Sequence, residues 1–166
     1  MINAIFAVDE AGGLGFKSGL PWPFNVTDMN HFKGLTEGKA VVMGRKTWDS
    51  LPQQFRPLPN RHNIIVTTKP NDFYTVEGIT TIHPLILDYE LEEQGLYDDI
   101  FVIGGKQVIM DNLHMIDKIH LTVIQGTYEA DVSLDMDYVL KHFNLVHESK
   151  LHNNCIFKEY VHEAIS

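Results

Sequence analysis

Cysteine, arginine and long apolar runs are scarce in this chain, and each scarcity excludes something. Cys155 is the single cysteine, so no disulfide framework exists and no cysteine-based metal site is expected. Its place before a C-terminal apolar run makes it a small core hydrophobe. A reducing, cytoplasmic setting fits. No stretch reaches the roughly 18 apolar residues of a membrane helix, and the first nine residues lack the basic start of a secretory signal. The net charge of −9 argues against nucleic-acid binding, which needs a basic face. The nine histidines are scattered, with no ligand-type spacing, so each reads as a surface or packing residue and no metal is expected. No serine nucleophile elbow, P-loop or internal repeat is present.

With 166 residues and 44% hydrophobic content, the chain has the size and composition of one globular domain with a sizeable core, spanning 1–166. Its three arginines, Arg45, Arg56 and Arg61, fall in one short segment flanked by Lys46 and Lys69. Arginine suits bidentate contact with carboxylate or phosphate, so this clustering predicts one anion site. Coincidence is the plain alternative.

The most informative stretch is Leu20-Pro-Trp22-Pro-Phe-Asn-Val-Thr-Asp28-Met29-Asn-His-Phe32-Lys-Gly-Leu-Thr36. Asn25 or Thr27 suits the cap of a helix ending near Thr36. At about 100° per residue, Asp28 falls between Leu35 and Phe32, with Met29 beside them. Asn30, Lys33 and Glu37 fall opposite. The carboxyl therefore sits on the apolar stripe. Either it is an ordinary first-turn acid favoured by the helix dipole, or it lines an apolar pocket, where burial raises its pKa and a partner rich in N–H groups is expected.

Along the chain, residues 2–8 read as a buried strand. Residues 9–19, with four glycines, read as a flexible loop of lid-like length, without the dinucleotide glycine fingerprint. Residues 39–44 form a strand stopped by Gly44, and 45–50 a helical turn that offers N–H groups to an anion. The proline-rich 52–61 is loop. Residues 62–69 form a strand ending in Thr67, Thr68 and Lys69, and a weak strand is expected over 79–82, then a helix over 84–94. Residues 99–105 form the most apolar strand, closed by Gly104 and Gly105, and 106–113 a helix. Strands follow over 118–125, 144–151 and 155–161, the last two as a hairpin turning at Asn153-Asn154. Strands alternating with helices predict an α/β fold: about eight strands in a mostly parallel sheet, an antiparallel C-terminal edge and about four flanking helices. Ligands bind such sheets beyond the carboxyl ends of the strands.

The ordered set Leu20-Pro-Trp22, an acid followed by Phe32-Lys33, Val42-Met-Gly-Arg-Lys-Thr-Trp48-Asp-Ser50, Pro57-Leu-Pro-Asn-Arg61-His-Asn-Ile-Ile, Val102-Ile-Gly-Gly105 and Leu121-Thr122 resembles the dihydrofolate reductases. The likeness spans nearly the whole chain and is weakest over 70–98. It implies reduction of 7,8-dihydrofolate by NADPH in a cytoplasmic monomer open to antifolate inhibitors. It assigns catalysis to Asp28, Trp22, Thr122 and Leu20. Substrate contacts fall to Ile5, Phe6, Asp28, Met29, Phe32, Leu51, Arg56, Arg61, Ile103 and Thr122. Arg61 would hold the α-carboxylate of the glutamate tail. Cofactor contacts fall to Ala7, Leu14, Gly15, Ser18, Gly19 and Leu20 around the nicotinamide, with 14–20 as the gate. Gly44, Arg45, Lys46, Thr47, Thr67, Thr68 and Lys69 would meet the phosphates, joined by Ile103, Gly104, Gly105, Lys106, Gln107 and Val108.

Two departures from the family pattern stand out. Ile109 occupies the position of a usual tyrosine, and Val132-Ser-Leu134 lacks the usual aromatic after Asp131, an acid expected to support the gate. Two other readings compete. A reductase of the same fold acting on a riboflavin precursor would not need Asp28 with Phe32 and Arg61. A non-catalytic nucleotide-binding module would have no use for Asp28, Trp22 and Thr122 together, although Ile109 favours it slightly.

Overall fold

Short runs of valine, isoleucine and alanine that stop at glycine or polar residues cannot make long helices, but they fill a sheet covered on both faces. A computed structural model describes residues 1–73, 77–87, 90–91 and 99–165. Numbered in chain order, the strands of the main sheet are β1 (Ile2–Asp9), β3 (Ala40–Gly44), β4 (His62–Val66), β5 (Ile79–Ile82), β6 (Ile100–Gly104), β7 (Lys118–Ile124), β9 (Phe143–Leu151) and β10 (Cys155–His162). They lie in the order β5-β4-β3-β6-β1-β7-β10-β9. All pairings from β5 to β7 are parallel, and β7–β10 and β10–β9 are antiparallel. The α/β class, the strand number and the antiparallel C-terminal edge agree with the sequence reading. The last strands form the expected hairpin, with Asn153 and Asn154 both left-handed in its turn.

The helices with described residues throughout are α1 (Val26–Thr36), α2 (Arg45–Ser50), α3 (Lys106–Asp111) and α4 (Met136–Val139). The helix expected over 84–94 falls partly outside the described residues, and its start is a 3-10 turn, Pro84–Ile86. The helix after the Gly-Gly pair is shorter than expected. Its end is drawn in by Asn112, whose side-chain amide donates to the Val108 carbonyl at 2.7 Å, and a 3-10 turn (Leu113–Met115) follows.

The reading of residues 9–19 as a flexible loop is corrected. Gly13–Gly15 form β2, which pairs with β8 (Val132–Ser133), and Phe16 and Gly19 exchange two backbone hydrogen bonds of 2.9 Å around a two-residue turn. Lys17 and Ser18 both have positive φ there, the backbone of a tight hairpin turn. The partner strand β8 lies far away in sequence, so no local pattern announces the pairing.

Alternation along β1 divides the core. Ala4, Phe6 and Val8 join Val42, Ile64, Val102, Ile109 and Ile119 in the larger cluster. Ile5 joins Val41, Met43, Trp48, Ile65 and Phe101 in the second. Ile109 is fully buried in the first, so the residue standing where the family tyrosine was expected is a packing residue. Ile64 is 2% exposed. Its truncation to alanine is expected to cost about 2–5 kcal/mol, transfer plus cavity, measured by urea unfolding. A cost under about 1 kcal/mol would show that this cluster is loosely packed.

Candidate active site

The position of Asp28 is set by what holds α1 at its two ends. At the N-terminus the Asn25 side chain accepts a hydrogen bond from the Asp28 N–H at 3.1 Å. The β9–β10 turn reinforces this cap: Asn25 Nδ2 donates to the Asn153 carbonyl at 2.9 Å and Asn153 Nδ2 to Thr27 Oγ1 at 2.8 Å. At the C-terminal end the buried Thr36 hydroxyl donates to the Phe32 carbonyl at 2.8 Å and accepts from Arg61 Nη1 at 3.3 Å. The helix is thus fixed across the sheet with Asp28 directed inward.

Asp28 is 9% exposed. Burial raises its pKa above the ordinary carboxyl value, and a hydrogen bond from the Thr122 side chain opposes that shift without cancelling it. Thr122 is itself buried, on β7. Asp28 is thus a first-turn acid that is buried, not a solvated one.

The apolar residues expected near this carboxyl fall in two clusters. Phe32, Leu51 and Ile103 pack against the cluster containing Ile5 and Trp48. Trp22 packs with Ile124 and Cys155, and with the partly buried Ala7 and Tyr128. Burial and the Asp28 charge raise the pKa of the Cys155 thiol, which places the thiol close to the carboxyl. Met29 is on the rim, 39% exposed. Trp22 Nε1 is buried, and among the described residues it has no hydrogen-bond partner. Phe6 packs on the other face of β1. Its side chain belongs to the larger core cluster, because adjacent strand residues face opposite ways, and it does not join Ile5 and Ala7.

The carboxyl ends of β3 and β6 carry the glycines. A Cβ on Gly44 would lie 3.0 Å from Val108 Cγ2, and Cβ atoms on Gly104 and Gly105 would lie 3.4 and 3.3 Å from Thr47 Oγ1. Gly104 has φ +142°, which side chains strongly disfavour. The Gly104–Gly105 peptide is cis. Gly44, Thr47, Gly104, Gly105 and Val108 therefore form one cradle, bare of large side chains. Lys106 and Gln107 are exposed next to it, with Gln107 Nε2 donating to Asp111 at 2.7 Å. At the end of β4, Thr67 is buried, its hydroxyl accepting from the Lys69 N–H at 3.0 Å, while Thr68 and Lys69 are exposed.

The expectation of one anion site from the three arginines is corrected. Arg45 follows β3 and Arg61 precedes the parallel β4, so they lie at opposite ends of five-residue strands, on the order of 16 Å apart. Arg45 Nη1 pairs with Asp72 at 2.8 Å and Nε with both Asp49 oxygens at 3.2 Å, its guanidinium 4.8 Å from the Phe73 ring centre. Arg61 donates to the Pro59 carbonyl at 2.8 Å and lies 5.9 Å from the Phe32 ring centre. Arg56 lies 5.8 Å from the Trp48 ring. Arg61 is thus on the Asp28 side through Phe32, and Arg45 is on the glycine-cradle side.

In the segment expected to be the gate, Leu14 packs against the larger cluster and Gly15 pairs in β2. Ser18, Gly19 and Leu20 are exposed, Leu20 by 48%. Asp131 accepts from the Lys17 N–H at 2.9 Å. Two polar groups escaped the sequence reading. Asp9, the last residue of β1, is buried and bonded to three backbone N–H groups. His120, one pleat below Thr122, is buried and stacked on Phe157, with a ring nitrogen 3.2 Å from Asn3 Oδ1. Burial lowers its pKa to about 4. Asp-x-x-Gly-Gly was a visible turn signal for Asp9. Nothing local marked its distant partner or the burial of His120.

Two surface grooves of about 550 and 560 Å³ lie elsewhere, one lined by Gly38, Arg61 and Gly78, the other by Asp9, Leu134 and Tyr160. Neither includes Asp28, Trp22 or Thr122. Among the described residues no group of three or more His, Cys, Asp or Glu could hold a metal ion, and no helix is long and apolar enough to cross a membrane.

The dihydrofolate reductase family model matches residues 1–163. A dihydrofolate reductase of Bacillus subtilis is 37% identical over 133 residues, 79% of this chain and 73% of that protein. One from Staphylococcus aureus is 32% identical over 130 residues, 78% and 75%. A dihydrofolate reductase type 9 of Escherichia coli is 32% identical over 151 residues, 89% and 82%.

The burial of Asp28 has a measurable sign. A carboxyl whose pKa is raised on folding lowers stability once pH exceeds its unfolded value, about 3.9. Asp28→Asn keeps an acceptor for Thr122 and removes the charge. It is expected to raise the Tm of the ligand-free protein at pH 7, with the gain fading as pH falls toward 4. An equal Tm difference at both pH values would show that ionisation of Asp28 carries no folding cost.

Proposed function

This chain belongs to the dihydrofolate reductase family, and from that premise we propose how its own residues carry out the reduction of dihydrofolate to tetrahydrofolate. The buried, Thr122-bonded Asp28, close to Cys155, which packs in one cluster with Trp22, is the observation that supports the reading. A pterin presents a 2-amino group and an N3–H on one edge, and Asp28 accepts hydrogen bonds from both. Thr122 fixes the carboxyl plane. The negative charge in apolar surroundings favours a proton on the pterin N5, reached through water near Trp22. Ile5, Phe32, Leu51 and Ile103 wall the rings and exclude bulk water, which strengthens each of these interactions. Met29 and Leu20 lie at the rim. Arg61, held over Phe32, binds the α-carboxylate of the glutamate tail.

The cradle of Gly44, Thr47, Gly104, Gly105 and Val108 receives a dinucleotide, because its three glycines leave the carboxyl ends of β3 and β6 without side chains. The bound reduced nicotinamide supplies the hydride. Gly104 to Val108 meet the pyrophosphate. Arg45, Lys46, Thr68 and Lys69 receive the 2′-phosphate and favour NADPH over NADH, with Arg45 exchanging Asp72 or Asp49 for the phosphate. Ala7 and residues 14–20 cover the nicotinamide. The protein acts as a cytoplasmic monomer of one reductase domain, and folate-like inhibitors with an amino-substituted heterocycle bind at Asp28.

Asp28→Asn is expected to lower kcat/KM for dihydrofolate at pH 7 by at least about 100-fold, the usual scale for removing a positioned acid–base or electrostatic group. The Kd for NADPH should stay within twofold. Loss of NADPH absorbance measures the first and fluorescence titration the second. A variant that keeps most of its turnover removes Asp28 from the mechanism. Arg61→Ala should raise KM for dihydrofolate roughly 10-fold or more, the value of a charged hydrogen bond, with kcat much less affected. Unchanged KM would place the glutamate tail elsewhere.

A further inference from the structure

Asp9 is not part of the chemistry just described, yet it is among the most buried charged residues in the chain, 2% exposed. Its two oxygens have different partners. Oδ1 accepts from the N–H groups of Ala11 at 2.9 Å and Gly13 at 2.8 Å, closing a local turn. Oδ2 accepts from the Tyr128 N–H at 2.9 Å, 119 residues away. A carboxylate that receives N–H donors makes stronger bonds than a neutral acceptor. Two backbone bonds flank the same junction, Glu10 N–H to the Gly126 carbonyl at 3.0 Å and Leu134 N–H to the Gly12 carbonyl at 2.9 Å. Gly13 has no room for a side chain, since a Cβ there would lie 2.9 Å from Asp9 Oδ2. The Tyr128 ring meets Trp22 edge-on, centres 6.5 Å apart at 67°.

We propose that Asp9 is a positioning residue for the reaction, acting through the Tyr128 backbone and ring to hold the Trp22 indole in its working orientation beside Asp28. Oδ1 shapes the segment that leads into the gate. Oδ2 ties it to the segment after β7, which presents Tyr128 to Trp22. The inference rests on the proposed role of Trp22.

The asymmetry supplies a sharp variant. In Asp9→Asn the amide oxygen can keep the two local bonds, but the NH2 group then faces the Tyr128 N–H, donor against donor. Asp9→Asn, Tyr128→Leu and the double variant are compared in two ways. Single-turnover hydride transfer is measured with NADPH and dihydrofolate. The fluorine NMR signals of the two tryptophans are recorded on ligand-free protein labelled with 5-fluorotryptophan. Each single variant should slow hydride transfer about 10-fold with substrate Kd values nearly unchanged, and the double should be no slower than the worse single, the non-additivity of residues acting through one chain of contact. The Trp22 signal should move in all three while the Trp48 signal stays.

A lower Tm with unchanged hydride transfer and an unmoved Trp22 signal would make Asp9 a purely structural anchor and overturn the proposal. Additive slowing in the double variant would overturn it as well. If Asp9→Asn does not fold, Tyr128→Leu alone decides: with Asp9 and its bonds intact, it must slow the transfer and shift the Trp22 signal. Hydride transfer absent from the wild type would refute the proposed function instead, and the ligand-free Trp22 signal would still test this contact.

Discussion

The desolvation of one carboxyl is the constraint to which the rest of the site answers. Water would stabilise the Asp28 anion far better than an apolar wall does, so the fold must keep the helix that bears it from swinging outward. Two unrelated parts of the chain do so. The turn of the C-terminal hairpin grips the start of α1 through Asn25 and Thr27, and the segment before β4 grips its end through Arg61 and Thr36. The helix has almost no apolar stripe of its own beyond Phe32 and Leu35, so polar ties do work that packing does in more amphipathic helices. The same contacts hold Arg61 against the helix that bears Asp28.

Much of this was readable before any coordinates. Valine- and isoleucine-rich runs ending at Gly44, Thr67 and Gly104 announce parallel strands, while a carboxyl between Phe32 and Leu35 leaves open whether it faces the core or serves the first turn of the helix. The failures have physical causes. The arginines were grouped by sequence distance, while a parallel strand carries its two ends far apart. β2 and β8 are too short to show a period, and α4 has only four residues behind its Asp135 cap. The Asp9 tie to Tyr128 depends on a distant N–H, and every residue has one.

The cradle side of the site is electrostatically self-contained in a way composition hides. In a chain with a net charge of −9, Arg45, next to the Gly44 end of β3, is held by Asp49 and Asp72. These pairs are exposed, and such pairs are worth at most about 1 kcal/mol. They can yield to a phosphate while keeping the guanidinium pointed along the Phe73 ring until one arrives.

The outer face of the C-terminal hairpin has a different consequence. β9 ends the sheet with a row of largely solvated side chains, the kind of edge on which a foreign strand could template. Its register with β10 shifts at Glu159/Tyr160, and it carries Glu148 facing Lys158 at 3.5 Å, with Lys150 nearby. Irregular pleating and charge together disfavour edge-to-edge pairing at this strand.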